Sequence, residues 1–131
     1  MDLVSLSYVS LARIPRHSVE MLDIMRAALD RNERLGITGV LFFAGDHFYQ
    51  VLEGDAQAVT ALFDRIAQDR RHCCVKRLGV VPIGERRFAE WAMRFLDEGR
   101  VPELRHRFPA EALFADSPNA VARVEHALAQ S

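Results

Sequence analysis

The sequence has few of the residues that mark unusual classes of protein. Its 131 residues include 2 cysteines, 7 glycines and 5 prolines, and half of them (50 %) are hydrophobic. This composition excludes a disulfide-rich mini-protein, a collagen-like repeat and a disordered tail. No apolar run approaches the ~20 residues that a membrane helix needs, and no secretion signal opens the chain. We therefore expect one globular domain that is cytoplasmic and makes no membrane contact.

Neither sign of charge dominates the chain. Lysine and arginine together number 17 and aspartate and glutamate 18, which gives a net charge of −1. A nucleic-acid backbone is bound by an excess of positive charge, and this chain has none. The sequence therefore predicts no direct nucleic-acid partner.

The two cysteines, Cys73 and Cys74, are adjacent. Because neighbouring residues of a strand point to opposite faces, we expect them to make a poor disulfide and a poor metal pair. No second cysteine pair is present to complete a zinc site, and the histidines have no ligand spacing, so no metal is predicted. We interpret both cysteines as ordinary packing residues.

Hydrophobic periodicity predicts the element order β-α-β-β-α-β-β. The strands are expected at residues 3–9, 37–43, 48–53, 73–82 and 88–96, and the helices from Val19 to Arg31 or Asn32 and from Asp55 onward. The first helix is expected to bury Val19, Leu22, Met25 and Ala28 or Leu29. The buried stripe of the second is Val59, Leu62, Phe63 and Ile66.

This order indicates an α+β fold of the ferredoxin-like plan, in which two helices cover one face of a five-stranded mixed sheet. From Gly99 onward, glycine and prolines interrupt two short helical patterns, and we expect these helices to cover the other face. The main domain is assigned to residues 1–97 and the C-terminal helical extension to residues 98–131.

Two polar residues break the strand pattern. Tyr8 lies on the apolar side of the first strand, and Gln50 lies between Phe48 and Leu52 on the third. Buried phenol and amide groups need hydrogen-bond partners, since an unpaired one costs about 1–3 kcal/mol. Tyr8 and Gln50 could satisfy each other or nearby backbone, or both could face a polar ligand between the helices and the sheet.

Two further features, Asn32 and a cluster of basic residues, can each be explained by a structural or by a functional role. Asn32 stands at the end of the first helix, where it could be a cap or a ligand contact. Basic residues gather at the end of the second helix, where they could form a solvated face or hold a phosphate. They are Arg65, Arg70, Arg71, Lys76 and Arg77. The chain carries no GxGxxG, Walker, HExxH or GxSxG motif, so no enzyme is predicted.

The residues that break the pattern carry a family resemblance. The sequence resembles the BLUF family, the blue-light sensors that bind FAD, over about residues 2–97. The matching segments are Tyr8-Val9-Ser10, Asn32 with residues 36–39, residues 48–54, Ile66 with Asp69, Arg71 and His72, and residues 88–93. One departure is Arg31, where many relatives place Asn or His.

The resemblance implies that FAD lies between the two helices with its ring edge facing the sheet. Asn32 would bind the imide edge of the ring, and Gln50 would bridge Tyr8 and the flavin. Arg65, Asp69, Arg71 and His72 would lie near the ribityl chain and phosphate, and Ile37, Ile66 and the stem of Arg31 would sandwich the ring.

The resemblance also implies a mechanism. Tyr8 would give an electron and then a proton to the excited flavin, and Gln50, the route of the proton, would be left rotated or tautomerised. Trp91 and Met93 on the fifth strand, beside Gln50, would relay the change to a separate effector protein, with a homodimer as the expected assembly.

Two alternatives from other classes remain open on the sequence. One is a small flavin-dependent reductase or an acylphosphatase-like hydrolase on the same fold, since a fold does not fix a function. The other is a regulatory interaction module without a cofactor, in which Tyr8 and Gln50 pair with backbone.

Overall fold

A computed structural model of the chain describes residues 2–15, 18–44, 47–89 and 92–97. The predicted extension at residues 98–131 and the predicted relay residue Trp91 lie outside these ranges.

The described residues form an α+β fold with five strands and two helices. The elements are β1 (Leu3–Ala12), α1 (Val19–Leu35), β2 (Thr38–Ala44), β3 (His47–Asp55), α2 (Ala56–Ala67), β4 (His72–Pro82) and β5 (Arg94–Asp97). The strands lie in the order β4-β1-β3-β2-β5, with β5 parallel to β2 and the other pairs antiparallel. The predicted element order and mixed sheet are confirmed.

Helix α1 is longer than predicted and presents a different face. The Ser18 hydroxyl caps its first turn by accepting from the Met21 backbone N–H at 3.2 Å, and Gly36, in the left-handed region at φ 67°, closes its last turn. Asn32 therefore lies inside the last turn and is not the C-terminal cap. Val19 and Leu22 are 70 % and 50 % exposed, so the predicted buried stripe was wrong at these positions.

Helix α2 confirms its predicted stripe. The Asp55 carboxylate caps the helix by accepting from the Ala58 N–H at 3.4 Å. Val59 and Leu62 are buried, and Phe63 and Ile66 pack against the same core. Residues at i, i+3, i+4 and i+7 share one helix face, and here that face lies on β1 and β3.

Both faces of the sheet are buried along its central strands β1, β2 and β3, whereas the edge strand β4 is mostly half-buried or exposed. Tyr8 belongs to the core cluster on the helix side. On the other side Val9, Phe42, Tyr49 and Val51 are all 1 % exposed or less. This arrangement follows from the period of two along each strand, which sends alternate side chains to opposite faces.

The fifth strand is shorter than predicted. Only Arg94–Asp97 pairs with β2, whereas Phe88 and Met93 precede the strand. The physical reason is that the buried Glu53 carboxylate accepts the backbone N–H groups of Arg87 and Phe88, which are then not available to a strand ladder. Because β2 lies between β3 and β5, Gln50 is not beside the fifth strand.

The two cysteines do not point to opposite faces. Their Sγ atoms are 3.3 Å apart, Cys74 is exposed and Cys73 is half-buried. The reason is backbone geometry: Cys74 has φ 57°, and it is the one non-glycine residue in the described part of the chain with a positive φ. The interpretation as an ordinary packing residue was therefore wrong for Cys74.

Neither described helix is long and apolar enough to cross a membrane.

Candidate functional site

A cleft opens between α1, the end of α2 and the helix-facing side of the sheet. Seven of its lining residues belong to the predicted site. They are Tyr8, Arg31, Gln50, Ile66, Asp69, Arg71 and His72. The topology explains the convergence: β1 and β3 are neighbours at the centre of the sheet, and α1 and α2 stand on the same side of it.

A line of three buried side chains begins at the floor of the cleft, where Tyr8 and Gln50 lie, and ends at Met93 beneath it. Tyr8 and Gln50 are directly opposite each other on β1 and β3. The Tyr8 hydroxyl donates to Oε1 of Gln50, and Nε2 of Gln50 lies 3.7 Å from Sδ of Met93. All three residues are at most 4 % exposed. The amide therefore uses its acceptor end on the phenol and its donor end on a sulfur, which is a weak acceptor.

The surroundings of Tyr8 keep its phenol neutral. Burial raises its pKa far above the ordinary value, the charge of Arg31 opposes that rise and the charge of Asp69 adds to it. The ring of Phe63 lies 5.5 Å away and that of His72 6.2 Å away, measured between ring centroids. Tyr8 is thus a protonated hydrogen-bond donor over the whole physiological pH range.

Two predicted residues of α1 carry buried polar atoms in need of partners. Asn32 is fully buried, and its Nδ2 donates to the backbone carbonyl of Ala92 at 2.9 Å. Among residues 2–15, 18–44, 47–89 and 92–97, no partner bonds Oδ1 of Asn32 or Nε of Arg31. Unpaired buried polar atoms are uncommon and mark places where a ligand can supply the missing bond.

His72 is held at both ring nitrogens. Its Nδ1 lies 2.8 Å from the Ser10 hydroxyl, and its Nε2 lies 2.6 Å from the carbonyl oxygen of Ile66 at the end of α2. The imidazole therefore ties β1, β4 and α2 together at one end of the cleft.

The rim of the cleft is formed by an ion pair. The Arg71 guanidinium binds the Asp69 carboxylate with Nε–Oδ1 at 2.9 Å and Nη2–Oδ2 at 2.5 Å. The bond from Arg71 lowers the pKa of Asp69, and the same bond raises that of Arg71. Arg31 has a lowered pKa because of burial first and of the charge of Arg65 second. Arg31, Arg65 and Arg71 thus outnumber the single carboxylate of Asp69, and the excess positive charge suits an anionic ligand group.

The structure does not place every predicted residue at the cleft. Ile37 is buried in the core, where its side chain approaches Gly54, and Asn32 is fully buried and does not line the cleft. Arg65 is exposed near Arg31. Other lining residues were missed by the sequence reasoning. They are Ile24, Ala27, Ala28, Leu41 and Phe48. The spacing of Ile24, Ala28 and Arg31 is itself helical, so this second stripe of α1 was present in the sequence.

Glu53 was also not singled out from the sequence, and it lies near the C-terminal end of β3 on the face of the sheet opposite to Gln50. Its carboxylate accepts from the Arg87 N–H at 2.7 Å, the Phe88 N–H at 2.9 Å and the Thr38 hydroxyl at 3.1 Å. Arg86 adds bonds to the Thr38 hydroxyl and to the Glu53 carbonyl. Glu53 thereby anchors the segment that leads to Met93.

The comparisons with known proteins agree with this geometry. A family model described as sensors of blue light using FAD matches residues 3–94. The chain belongs to the BLUF family. FAD is accordingly its cofactor, and the chain is a flavin-binding photoreceptor module.

The BLUF relatives include both short and very long proteins. The dark-state structure of BlrB, a BLUF protein, is similar at a TM-score of 0.86 and 39 % identity, over 98 % of this chain and 96 % of that one. BlsA in its photo-activated state has a TM-score of 0.86 at 26 % identity, over 98 % and 96 % of the two chains. The photoactivated adenylate cyclase subunit beta of Euglena longa is 40 % identical over 92 residues, which are 70 % of this chain and 11 % of that protein. The chain thus spans about a tenth of the length of the curated relatives that it matches.

The residues present fit a flavin. An isoalloxazine ring carries an imide N–H and carbonyl oxygens on one edge, and the unpartnered Asn32 Oδ1 is an acceptor that an imide N–H would satisfy. The unpartnered Nε of Arg31 is a donor for an oxygen of the cofactor. Apolar groups of Ile24, Ile66 and Phe48 supply surfaces for a flat ring.

Proposed function

We propose that the chain senses blue light through Tyr8 and Gln50, and that it is a sensor rather than an enzyme. The observation that carries the proposal is the buried line from the Tyr8 hydroxyl through the Gln50 amide to the Met93 sulfur, of which Tyr8 and Gln50 line the cleft. Each of these groups is sequestered from water, so a change in one hydrogen bond is passed to the next rather than absorbed by solvent.

Bound FAD supplies absorption of blue light and, when excited, a strong oxidant. Tyr8 is suited to give up an electron because a phenol is readily oxidised, and its proton already lies on a hydrogen bond to Gln50. Gln50 has an acceptor at one end of its amide and a donor at the other. Rotation of this amide, or its tautomerisation, exchanges the group that faces Tyr8 and the group that faces Met93.

We further propose that Asn32 and Arg31 bind the polar edge of the ring, while Ile66, which lines the cleft, bounds one of its apolar faces and Ile37 stays in the core outside the cleft. Asp69, Arg71, His72 and Arg65 would hold the ribityl and phosphate part. The unpartnered atoms of α1 support the first assignment, and the concentration of arginines at the rim supports the second.

Met93 is proposed as the first residue of the output, with Trp91 two positions earlier in the chain. A change at Gln50 removes or reverses the contact with the Met93 sulfur, and Met93 leads directly into β5. The signal would then pass to a separate effector protein or across a homodimer. Hydrogen exchange in darkness and in light tests this step: Met93→Ala should weaken the light-dependent change at β5, and Met25→Ala, in α1, should not.

We propose residues 1–97 as the flavin-binding domain and residues 98–131 as a helical layer over the second face of the sheet. The burial of Val9, Phe42, Tyr49 and Val51 supports this division, because an uncovered sheet face would expose them. A chain that ends at Asp97 is expected to bind a hydrophobic dye more strongly than the full chain does; equal binding would contradict the division.

The Tyr8–Gln50 proposal is tested by the absorption spectrum of the FAD-loaded protein before and after blue illumination. We expect a reversible red shift in the unmodified chain and none in Tyr8→Phe, which keeps the ring but removes the donor. Tyr49→Phe is the matched control, since the chain has two tyrosines and Tyr49 lies on the other face of the sheet.

A red shift that persists in Tyr8→Phe, or that is lost equally in Tyr49→Phe, would refute the assignment. Bleaching of the bound flavin by a nicotinamide cofactor would instead indicate a reductase, and failure to bind flavin would indicate an interaction module.

A further inference from the structure

The adjacent cysteines lie at an irregularity of the β1–β4 ladder. Val9 pairs with Lys76 and Leu11 pairs with Cys73, so Cys74 and Val75 of β4 together face Ser10 of β1. Two residues opposite one define a β-bulge, and a left-handed residue is typical of one bulge type, usually as glycine. Here Cys74 occupies that conformation at φ 57°. A side chain other than glycine is strained in this conformation.

The bulge brings the two thiols together where reagents can reach them. Their Sγ atoms are 3.3 Å apart, with Cys74 exposed and Cys73 half-buried. Hydrogen bonds from Cys74 and from Arg13 lower the pKa of the Cys73 thiol, whereas the bond to Cys73 raises that of Cys74. The pair therefore combines a sulfur inclined to be a thiolate with a neighbour that keeps its proton, as a nucleophilic and a resolving cysteine do.

We propose that Cys73 and Cys74 form a vicinal dithiol site, which is oxidised reversibly to a disulfide within the chain by exchange with a low-molecular-weight disulfide. The Cys73 thiolate attacks one sulfur of the oxidant, forms a mixed disulfide and releases one thiolate. The Cys74 thiol then loses its proton, and its sulfur attacks Sγ of Cys73 and releases the second thiol. The two protein thiols together lose two electrons, and the disulfide of the oxidant gains them and is reduced to two thiols.

The proposed bridge is a labile one. Consecutive Cα atoms are about 3.8 Å apart, which is closer than the roughly 4.4 Å at which disulfide-linked Cα atoms usually begin. Bridges outside the usual range, and exposed ones, are reduced readily and serve as switches rather than as structural links. Cys73 directly follows His72, so this chemistry takes place beside the residue that joins β1, β4 and α2.

The test uses the full chain, whose only two cysteines are this pair. After incubation with oxidised glutathione, we expect the intact mass to fall by two hydrogens, both thiols to be lost, and dithiothreitol to restore them. The variants Cys74→Ser and Cys73→Ser cannot close a bridge. Cys74→Ser should instead keep one glutathione on Cys73, and both variants should retain the circular dichroism of the unmodified chain.

A second probe reports the thiol geometry without oxidation. Phenylarsine oxide joins two thiols to one arsenic atom, and the two thiol protons leave with its oxygen as water. We expect one equivalent to bind tightly to the unmodified chain, with at least a hundredfold loss of affinity in each serine variant. Stable addition of two glutathiones, a disulfide between two chains, or equal arsenical binding by a serine variant would overturn the proposal.

Discussion

Tyr8 and Gln50 can be explained at the scale of single residues. Each occupies a strand position that the alternation reserves for an apolar side chain, and each is buried there with the other as its partner. The phenol is held neutral because burial favours its uncharged form. Under the proposed function, a neutral phenol whose hydroxyl donates to an amide oxygen is placed to give up an electron and then a proton.

The raised pKa of Tyr8 predicts how stability depends on pH. An unfolded tyrosine loses its proton near pH 10, whereas the folded state retains it. The contribution of Tyr8 to the free energy of unfolding is therefore fully present below about pH 10 and decreases above it. The decline from this group is at most about 1.4 kcal/mol per pH unit. Tyr8→Phe lacks this contribution, so its stability should decline less steeply between about pH 10 and 11.

Urea unfolding of both proteins at about pH 8 and about pH 11 measures this difference. Parallel declines in the two proteins, or tyrosinate absorbance from Tyr8 at about pH 10 in the folded state, would contradict a strongly raised pKa.

The sequence alone predicted some of these features and missed others. The break in alternation identified Tyr8 and Gln50, because strand period is a local property. The sequence could not predict how Met93 reaches Gln50. This contact depends on Glu53, which is distant in the chain and binds the backbone N–H groups of residues 87 and 88, so that these residues do not join the sheet. The left-handed Cys74 was also missed, because a non-glycine residue gives no sequence signal for that conformation.

At the scale of elements, Glu53 is the residue that fixes the connection from β4 to β5. Glu53→Gln keeps the size of the side chain but sets an amide donor against a backbone N–H of Arg87 or Phe88. We expect a loss of about 1–3 kcal/mol in the free energy of unfolding. The control is Glu85→Gln, an exposed position at which a change within about 0.5 kcal/mol is expected.

Urea unfolding of the two glutamine variants makes this comparison. Equal stability of Glu53→Gln and Glu85→Gln would show that the buried carboxylate does not anchor the segment.

At the scale of the whole molecule, the proposed site implies that the cofactor completes the interior between the helices and the sheet. Helix α1 buries only Ala28 and Asn32 among its described residues, and the side that lines the cleft carries Ile24, Ala27, Ala28 and Arg31. Much of the packing of α1 is therefore expected to come from the flavin. The fold and the ligand are thermodynamically linked, since a ligand that binds only the folded state stabilises it.

Removal of FAD is predicted to lower the melting temperature. At a free concentration of 100 times Kd, FAD adds about 2.7 kcal/mol, which corresponds to roughly 10 °C for a domain of this size. The same concentration of ATP, which lacks the isoalloxazine ring, should give a much smaller rise. Equal melting temperatures with and without FAD would exclude the cofactor from the interior.

Under the proposed function, the Gln50 amide changes its hydrogen bonds when light is absorbed. Nitrogen-15 NMR of the glutamine side chains tests it directly, because the chain has four glutamines, at positions 50, 57, 68 and 130, and Gln50→Leu assigns the Gln50 signal by its loss. We predict that the Gln50 resonance moves on blue illumination and returns in darkness, in step with the absorption shift, while the signals of Gln57 and Gln68 stay in place. A full absorption shift with an unmoved Gln50 resonance would contradict the proposed role of Gln50.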